Sequence, residues 1–447
     1  MIAARSSSLG SGVMTSSTTT QAKGRNGPGR YGTGVGRRLA AAAVTLVLVQ
    51  AGAASASLAK PSVPVSWAET QIRIVTGKGL MGTANPATFR PNDILTAQAL
   101  ANLAYGLQQA IAPPPPVVPE DPPANPPDAT TVPTTTDPTV TDPAGTTTTP
   151  TVPTTTTTPT PTPAPAPTPV PAPVPAAPKV ASPGAAATMT QLDAKLVASL
   201  GLSGAAAEFA RGARAAGLEV PARFGTEVVA RLLALRNDHP AAQDGLELLP
   251  NDPATRAEAA YSAAQILSFG IAGGPEVLEV QALADSFALP SFTAWQTAIL
   301  DTAVSKIGMP YVWGGTSDGA EAPFGVHSRG GYDCSGFVWR VYKLQRYPDE
   351  GDLASVLRGR TTYVMSAEVP RSERIGFPDL QPADVLFFGA KGPRSQPSQV
   401  DHMAIYIGNN WFIQSSGQGV ALATLTGYYK RMFAWARRPL AEAGLEG

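Results

Sequence analysis

The sequence predicts an α+β domain at its C-terminal end, preceded by mainly helical units and a disordered Pro/Thr-rich linker. Three observations carry this. Apolar residues after Gly331 recur at helix spacing, those after Asp401 alternate at strand spacing, and 25 of the 45 prolines lie between Pro113 and Pro183. A stretch so rich in a residue that fixes φ and lacks an N–H cannot join a packed core.

Composition narrows the partners. With 33 basic and 33 acidic side chains among 447 residues, the chain has no global field to draw in nucleic acid or an anionic surface. Recognition must be local. Cys334 is the only cysteine, which excludes an internal disulfide framework and a cysteine-rich zinc site but leaves room for a nucleophile.

Residues 1–56 read as a signal peptide with a long N-terminal extension. Arg37 and Arg38 precede the apolar run from Leu39, and Ala54-Ser55-Ala56 offers small residues for cleavage, so the mature chain is expected to begin near Ser57. The run from Leu39 to Val49 is short of the ~20 apolar residues of a membrane span. No stable span is expected after cleavage.

Residues 113–187 repeat Pro, Thr, Ala and Val, as in "TPTPTPAPAPTPVPAPVPAAP". Such a backbone is extended and solvated, near polyproline II, and at ~3.1 Å per residue reaches on the order of 200 Å. It is expected to act as a spacer between domains.

Two patches flank it, 61–112 and 188–275. The first carries Trp67, Ile72 and Val75 at helical period, then "TFRPNDILT", with Thr96 as N-cap of a helix bearing Leu100, Leu103 and Leu107. The second ends in "PNDPATRAEAA", with Thr255 capping and Glu258 placed to close a capping box. "TMTQLDAKLVASLGL" reads as a third closing helix. These phrases resemble the S-layer homology module, which implies binding of secondary cell-wall polymers, with Arg256 of the "TRAE" phrase gripping an anionic glycan.

The chemistry concentrates in residues 290–440. In "GYDCSGFVWRVYKL" the residues Phe337, Val338, Val341 and Leu344 follow helix spacing, placing Cys334 at a helix N-terminus, where orphan N–H groups and the dipole are expected to lower a thiol pKa. Asp333 and Ser335 beside it are poor core residues, and Gly336 leaves room for a substrate backbone. A thiol nucleophile needs a base. Of three histidines, His239 sits in a loop before Pro240, His327 in a polar insertion, and His402 opens the alternating strand "HMAIYIG". Met403, Ile405 and Ile407 form the core face of that strand, leaving His402, Ala404 and Tyr406 on a polar one. Gln414 is the candidate to fix the imidazole tautomer, ahead of Asp401, provided the hairpin loop behaves as three residues, Gly408 to Asn410.

"PYVWGG", "DCSGFV", "LQPADVLFF", "DHMAIYIGNNWFI" and "WARRP" resemble, in this order, the NlpC/P60 family of cell-wall cysteine peptidases. The resemblance implies a papain-like fold of helices packed on an antiparallel sheet. It makes Cys334 the nucleophile, His402 the general base and acid, and Gln414 the orienting residue where many members have histidine. Tyr311, Asp333 and Ser335 would line the substrate cleft. The implied reaction is hydrolysis of peptidoglycan stem peptides between D-Glu and a diamino acid, with no metal or other cofactor, by a secreted, cell-wall-associated protein. The alternatives are a cysteine amidase or acyltransferase on another acyl bond, and a non-catalytic wall-binding scaffold.

Overall fold

The computed structural model describes residues 66–82, 86–113, 179–270 and 273–446. The expected signal peptide, 1–56, and the proline-rich stretch up to residue 178 lie outside the described residues.

The helical part is built from α1 (Glu69–Gly77), α2 (Pro86–Phe89), α3 (Ala97–Ile111), α4 (Met189–Ser199), α5 (Ser203–Ala215), α6 (Phe224–Leu232), α7 (Arg256–Ser268) and α8 (Pro275–Asp285). Three of these start alike. Thr96, Thr188 and Thr255 cap α3, α4 and α7, each accepting the N–H three residues on. The residue before each threonine joins a ring: Leu95 N–H donates to Ala254, Ala254 to Ala187 and Ala187 to Leu95, each at 2.8 Å. All three are buried, so the ring satisfies backbone groups that would otherwise be stranded in the core.

The ring revises two expectations. The Pro/Thr-rich stretch does not hold one domain away from another, because both its flanks enter the same body: Ala97 N–H bonds Ala185 at 2.8 Å and Gln98 N–H bonds Pro183 at 3.2 Å. Residues 179–187, read from composition as linker, are part of that body. The capping box at Thr255 is also only half made. Thr255 accepts from Glu258 N–H, but the Glu258 carboxylate turns to His239 Nε2 at 3.2 Å. His239 itself is buried, with the Trp67 ring edge-on at 4.5 Å.

The C-terminal part has α9 (Ala294–Ser305), a hairpin of β1 (Thr316–Ser317) and β2 (Gly331–Tyr332), then α10 (Cys334–Trp339), α11 (Leu353–Val356) and α12 (Thr362–Ala367). It continues with β3 (Val385–Gly389), β4 (Val400–Gly408), β5 (Trp411–Ser416), β6 (Gly419–Thr424), α13 (Gly427–Met432), β7 (Phe433–Arg437) and α14 (Pro439–Glu442). The sheet is antiparallel in the order β6-β5-β4-β3-β7. Helices on a meandering antiparallel sheet make the domain α+β. On one face Met403, Ile405, Ile407 and Ile413 pack with Phe337 and Val338 of α10 and with Val341 just beyond it.

The other face is apolar too. Leu386, Phe388, Ala404, Tyr406, Phe412 and Phe433 form a second cluster under Phe377, Tyr429 and Met432, so the face expected to be polar is a second core. The near-continuous apolar run of β4 is the sequence trace of a strand buried on both sides.

The helical part closes the sheet edge. Phe209 of α5, Phe287 and Trp411 of β5 pack with ring centroids 5.0 to 5.8 Å apart. From α6, Arg231 donates to the carbonyls of Gly308 and Gln418, and Arg223, the residue before α6, to those of Ile307 and Ser305. Burying such a guanidinium requires partners, and Glu227 lies 3.3 Å from Arg231. Edge strand β6 therefore lies against α6 instead of presenting an unpaired row to other chains.

Candidate active site

Helix α10 begins where its sequence says it should. Asp333 is the N-cap, in extended conformation, and its Oδ1 accepts the Gly336 N–H. Cys334 therefore occupies the first helical position, among the N–H groups that a helix leaves unpaired. The expected helix continues past Trp339 as a π-turn over Arg340–Leu344. Gly336 serves a different purpose from the one expected. A Cβ there would lie 1.8 Å from the carbonyl oxygen of Gly315, so the protein's own backbone, not a substrate's, fills that space.

Cys334 is half-buried, with Sγ 3.4 Å from Thr362 Oγ1 and the backbone N–H groups of Met403 and Ser335 directed at it. Burial, followed by the neighbouring Asp333 carboxylate, pushes the thiol up to about 12. This is the reverse of the shift expected from the sequence. The helix N-terminus is positive, as expected, but the capping aspartate sets a full negative charge against that partial one.

His402 follows on β4, one residue before the Met403 amide that points at the sulfur. It is buried, which pushes its imidazole down to about 4 despite the bond that Gln414 Oε1 accepts from it. Both shifts favour a neutral thiol beside a neutral imidazole at pH 7.

The register of the hairpin brings Gln414 to the same side. Ile405 pairs with Ile413 and Gly408 with Trp411, through a turn in which Gly408, Asn409 and Asn410 have φ of 100, 49 and 64°. The bulge at Gly408 makes a two-residue turn count as three. Gln414 then stands opposite Ala404, on the His402 face, with Oε1 2.6 Å from His402 Nε2. Asp401, on the opposite side of the strand, is exposed.

Asp333 and Ser335 belong to a network the sequence reading did not see. Arg360 donates to Ser335 Oγ at 2.7 Å and to the Gly314 carbonyl at 2.9 Å, and lies 3.5 Å from Asp333 Oδ1. Gly314 N–H returns to Asp333 Oδ2 at 3.0 Å. Arg360, Thr362 and Tyr429 were all missed. They sit on a loop and on helices of six residues, too short for a periodic signal.

Tyr311 bridges to Tyr332, next to Asp333, and lines a small polar cavity toward the helical part with Arg231, Glu247 and Gln418. Arg256 stands apart from the site. Its Nε and Nη2 donate to the carbonyls of Phe89 and Met81, and its guanidinium lies 4.5 Å over the Phe89 ring. His327 is exposed in the insertion, whose Arg329 pairs with Asp252 of the helical part at 2.7 Å.

A thiol at a helix start, an imidazole on the adjoining strand and an amide fixing that imidazole are the parts of a cysteine acyl-transfer site. Residues 308–438 match the NlpC/P60 family, and the C-terminal domain is a member of it. Murein DD-endopeptidase MepH of Escherichia coli is 33% identical over 147 residues, 31% of this chain and 44% of that protein. The probable peptidoglycan endopeptidase LytE of Bacillus subtilis is 34% identical, over 31% of this chain and 33% of its own length. The gamma-D-glutamyl-L-lysine dipeptidyl-peptidase of Bacillus subtilis is 26% identical, over 32% and 41%. This chain thus spans less than half the length of these relatives.

Proposed function

We propose that the protein is an exported, wall-associated peptidoglycan endopeptidase that cleaves stem peptides between D-Glu and the diamino acid. The observation that carries this is the 2.6 Å bond between Gln414 Oε1 and His402 Nε2. It assigns the imidazole proton to Nε2 and leaves Nδ1 as the base.

Cys334 Sγ attacks the scissile carbonyl carbon while its proton passes to His402 Nδ1. Because both groups rest neutral, this transfer accompanies attack instead of preceding it. N–H groups of the first turn of α10 hold the developing oxyanion. The imidazolium then protonates the leaving amine as the C–N bond breaks, and water hydrolyses the thioester. Asp333 and Ser335, braced by Arg360, shape the cleft, and Tyr311 contributes its flank. Arg360 brings a positive charge to a substrate rich in carboxylates.

Names of relatives support the substrate class: two are peptidoglycan or murein endopeptidases, and the third takes its name from the gamma-D-glutamyl-L-lysine bond. For a secondary cell-wall polymer, the helical part offers Arg256 only through the N–H groups that the Phe89 and Met81 carbonyls do not engage.

The test is mass spectrometry of purified muropeptides incubated with the full chain, wild type beside Cys334→Ala. Products ending in D-Glu from the wild type alone are expected. Cleavage at another stem bond would keep the mechanism and replace the specificity; intact muropeptides in both samples would refute the proposal.

A further inference from the structure

We propose that Tyr429 is a positioning residue for the reaction: its hydroxyl, by accepting the Gln414 amide N–H, supports the amide orientation that presents an oxygen to His402, an orientation its removal would penalise. This rests on the reading of Cys334, His402 and Gln414 given above.

An amide has an accepting and a donating end that differ little in shape. Gln414 is buried, with Oε1 2.6 Å from His402 Nε2 and its own Nε2 donating to Tyr429 Oη at 2.7 Å. Turned by 180°, the amide would offer N–H to the imidazole, whose proton would then have to sit on Nδ1. That tautomer has no lone pair left for the thiol proton. Without the Tyr429 hydroxyl the productive orientation leaves a buried N–H unpaired, whereas the turned one leaves only a carbonyl, the lesser penalty.

The ring is held independently of its hydroxyl. Tyr429 packs edge-on to Phe412 at 5.0 Å and Phe388 at 5.7 Å, and Phe388 lies 5.7 Å from the His402 ring. Tyr429→Phe therefore removes the acceptor and keeps the packing.

The full chain has three histidines, so 15N-histidine labelling gives a readable spectrum, with His402 assigned by its loss in His402→Asn. The Nε2–H tautomer is expected in the wild type and a shift toward Nδ1–H in Tyr429→Phe. With muropeptide as substrate, kcat falls ~10-fold or more, the effect of an unpaired buried donor, and KM stays within about twofold. An unchanged tautomer with kcat within about twofold would overturn the proposal.

A second background separates orientation from packing. In Gln414→Glu both carboxylate oxygens accept and there is no orientation to choose, so adding Tyr429→Phe should change kcat less than about twofold. An equal loss in both backgrounds would reduce Tyr429 to a packing residue and sink the idea. Failure of the wild type to cut muropeptides would instead remove the functional proposal, while the tautomer measurement still judges this one.

Discussion

Gly336→Ala and Gly204→Ala are the same substitution in two helices, and the structure assigns them opposite signs. In α5, Gly204 has nothing within 4 Å of an added Cβ, so alanine should stabilise by the usual ~0.4–1 kcal/mol of reduced unfolded-chain entropy. In α10, a Cβ added at Gly336 would meet the Gly315 carbonyl at 1.8 Å, where real contacts do not fall below 3.0 Å. One of the two backbones must move by ~1.2 Å, and overpacking of that order costs ~1–3 kcal/mol, more than alanine's helical preference returns. Where α10 is the one that yields, the segment that moves carries Cys334. A displacement of ~1 Å at a reacting group costs ~10²-fold in rate. Urea denaturation of the full chain, monitored by tryptophan fluorescence, gives the first quantity, and initial rates on muropeptides the second. A Gly336→Ala protein as stable as Gly204→Ala would show that the Gly315 carbonyl does not close that space, and the account of the α10 start would fall with it.

His402 makes stability depend on pH. Its folded-state value, about 4, lies below the ordinary 6.5, so the unfolded chain binds the extra proton between them and the protein should lose about 3 kcal/mol as pH falls through that window. Asp193, raised to about 7 by burial, acts in the opposite direction in wild type and His402→Asn alike, so the difference between the two denaturation curves isolates the imidazole; no difference would refute its buried neutral state. Cutting the chain between Pro113 and Lys179 should leave two pieces that co-elute on gel filtration, since Leu95, Ala187 and Ala254 bond across the cut; separation of the pieces would contradict the ring. Phe209→Ala should cost ~3–5 kcal/mol by emptying the contact with Phe287 and Trp411, and a loss below about 1 kcal/mol would mean that the helical part does not brace the sheet.

Much of the site was legible because its chemistry is local in sequence. Asp333-Cys334-Ser335-Gly336 announces a helix start, and the demand that Gln414 share a face with His402 fixed the hairpin register in advance. What escaped depends on distance. Arg360 reaches Ser335 from 25 residues away and Tyr429 reaches Gln414 from 15, and nothing in the counting of periods links them. The thiol's charge state escaped because its burial, which no local pattern reports, outweighs the dipole, and the Asp333 carboxylate beside it adds to the same effect. The spacer was misjudged for the opposite reason. Proline content describes a stretch of chain faithfully but says nothing about where its two ends are tied.

Those ends have an evolutionary consequence. Once the ring at Leu95, Ala187 and Ala254 is closed, Ala112 and Lys179 belong to one body, so the sequence between them joins two fixed points of the same fold. The entropy of closing a loop grows with the logarithm of its length, ~0.6 kcal/mol for each doubling. A change in the number of residues between those two points is thus nearly neutral for folding, and that number is free to drift or to be selected for reasons that have nothing to do with the fold that holds its ends.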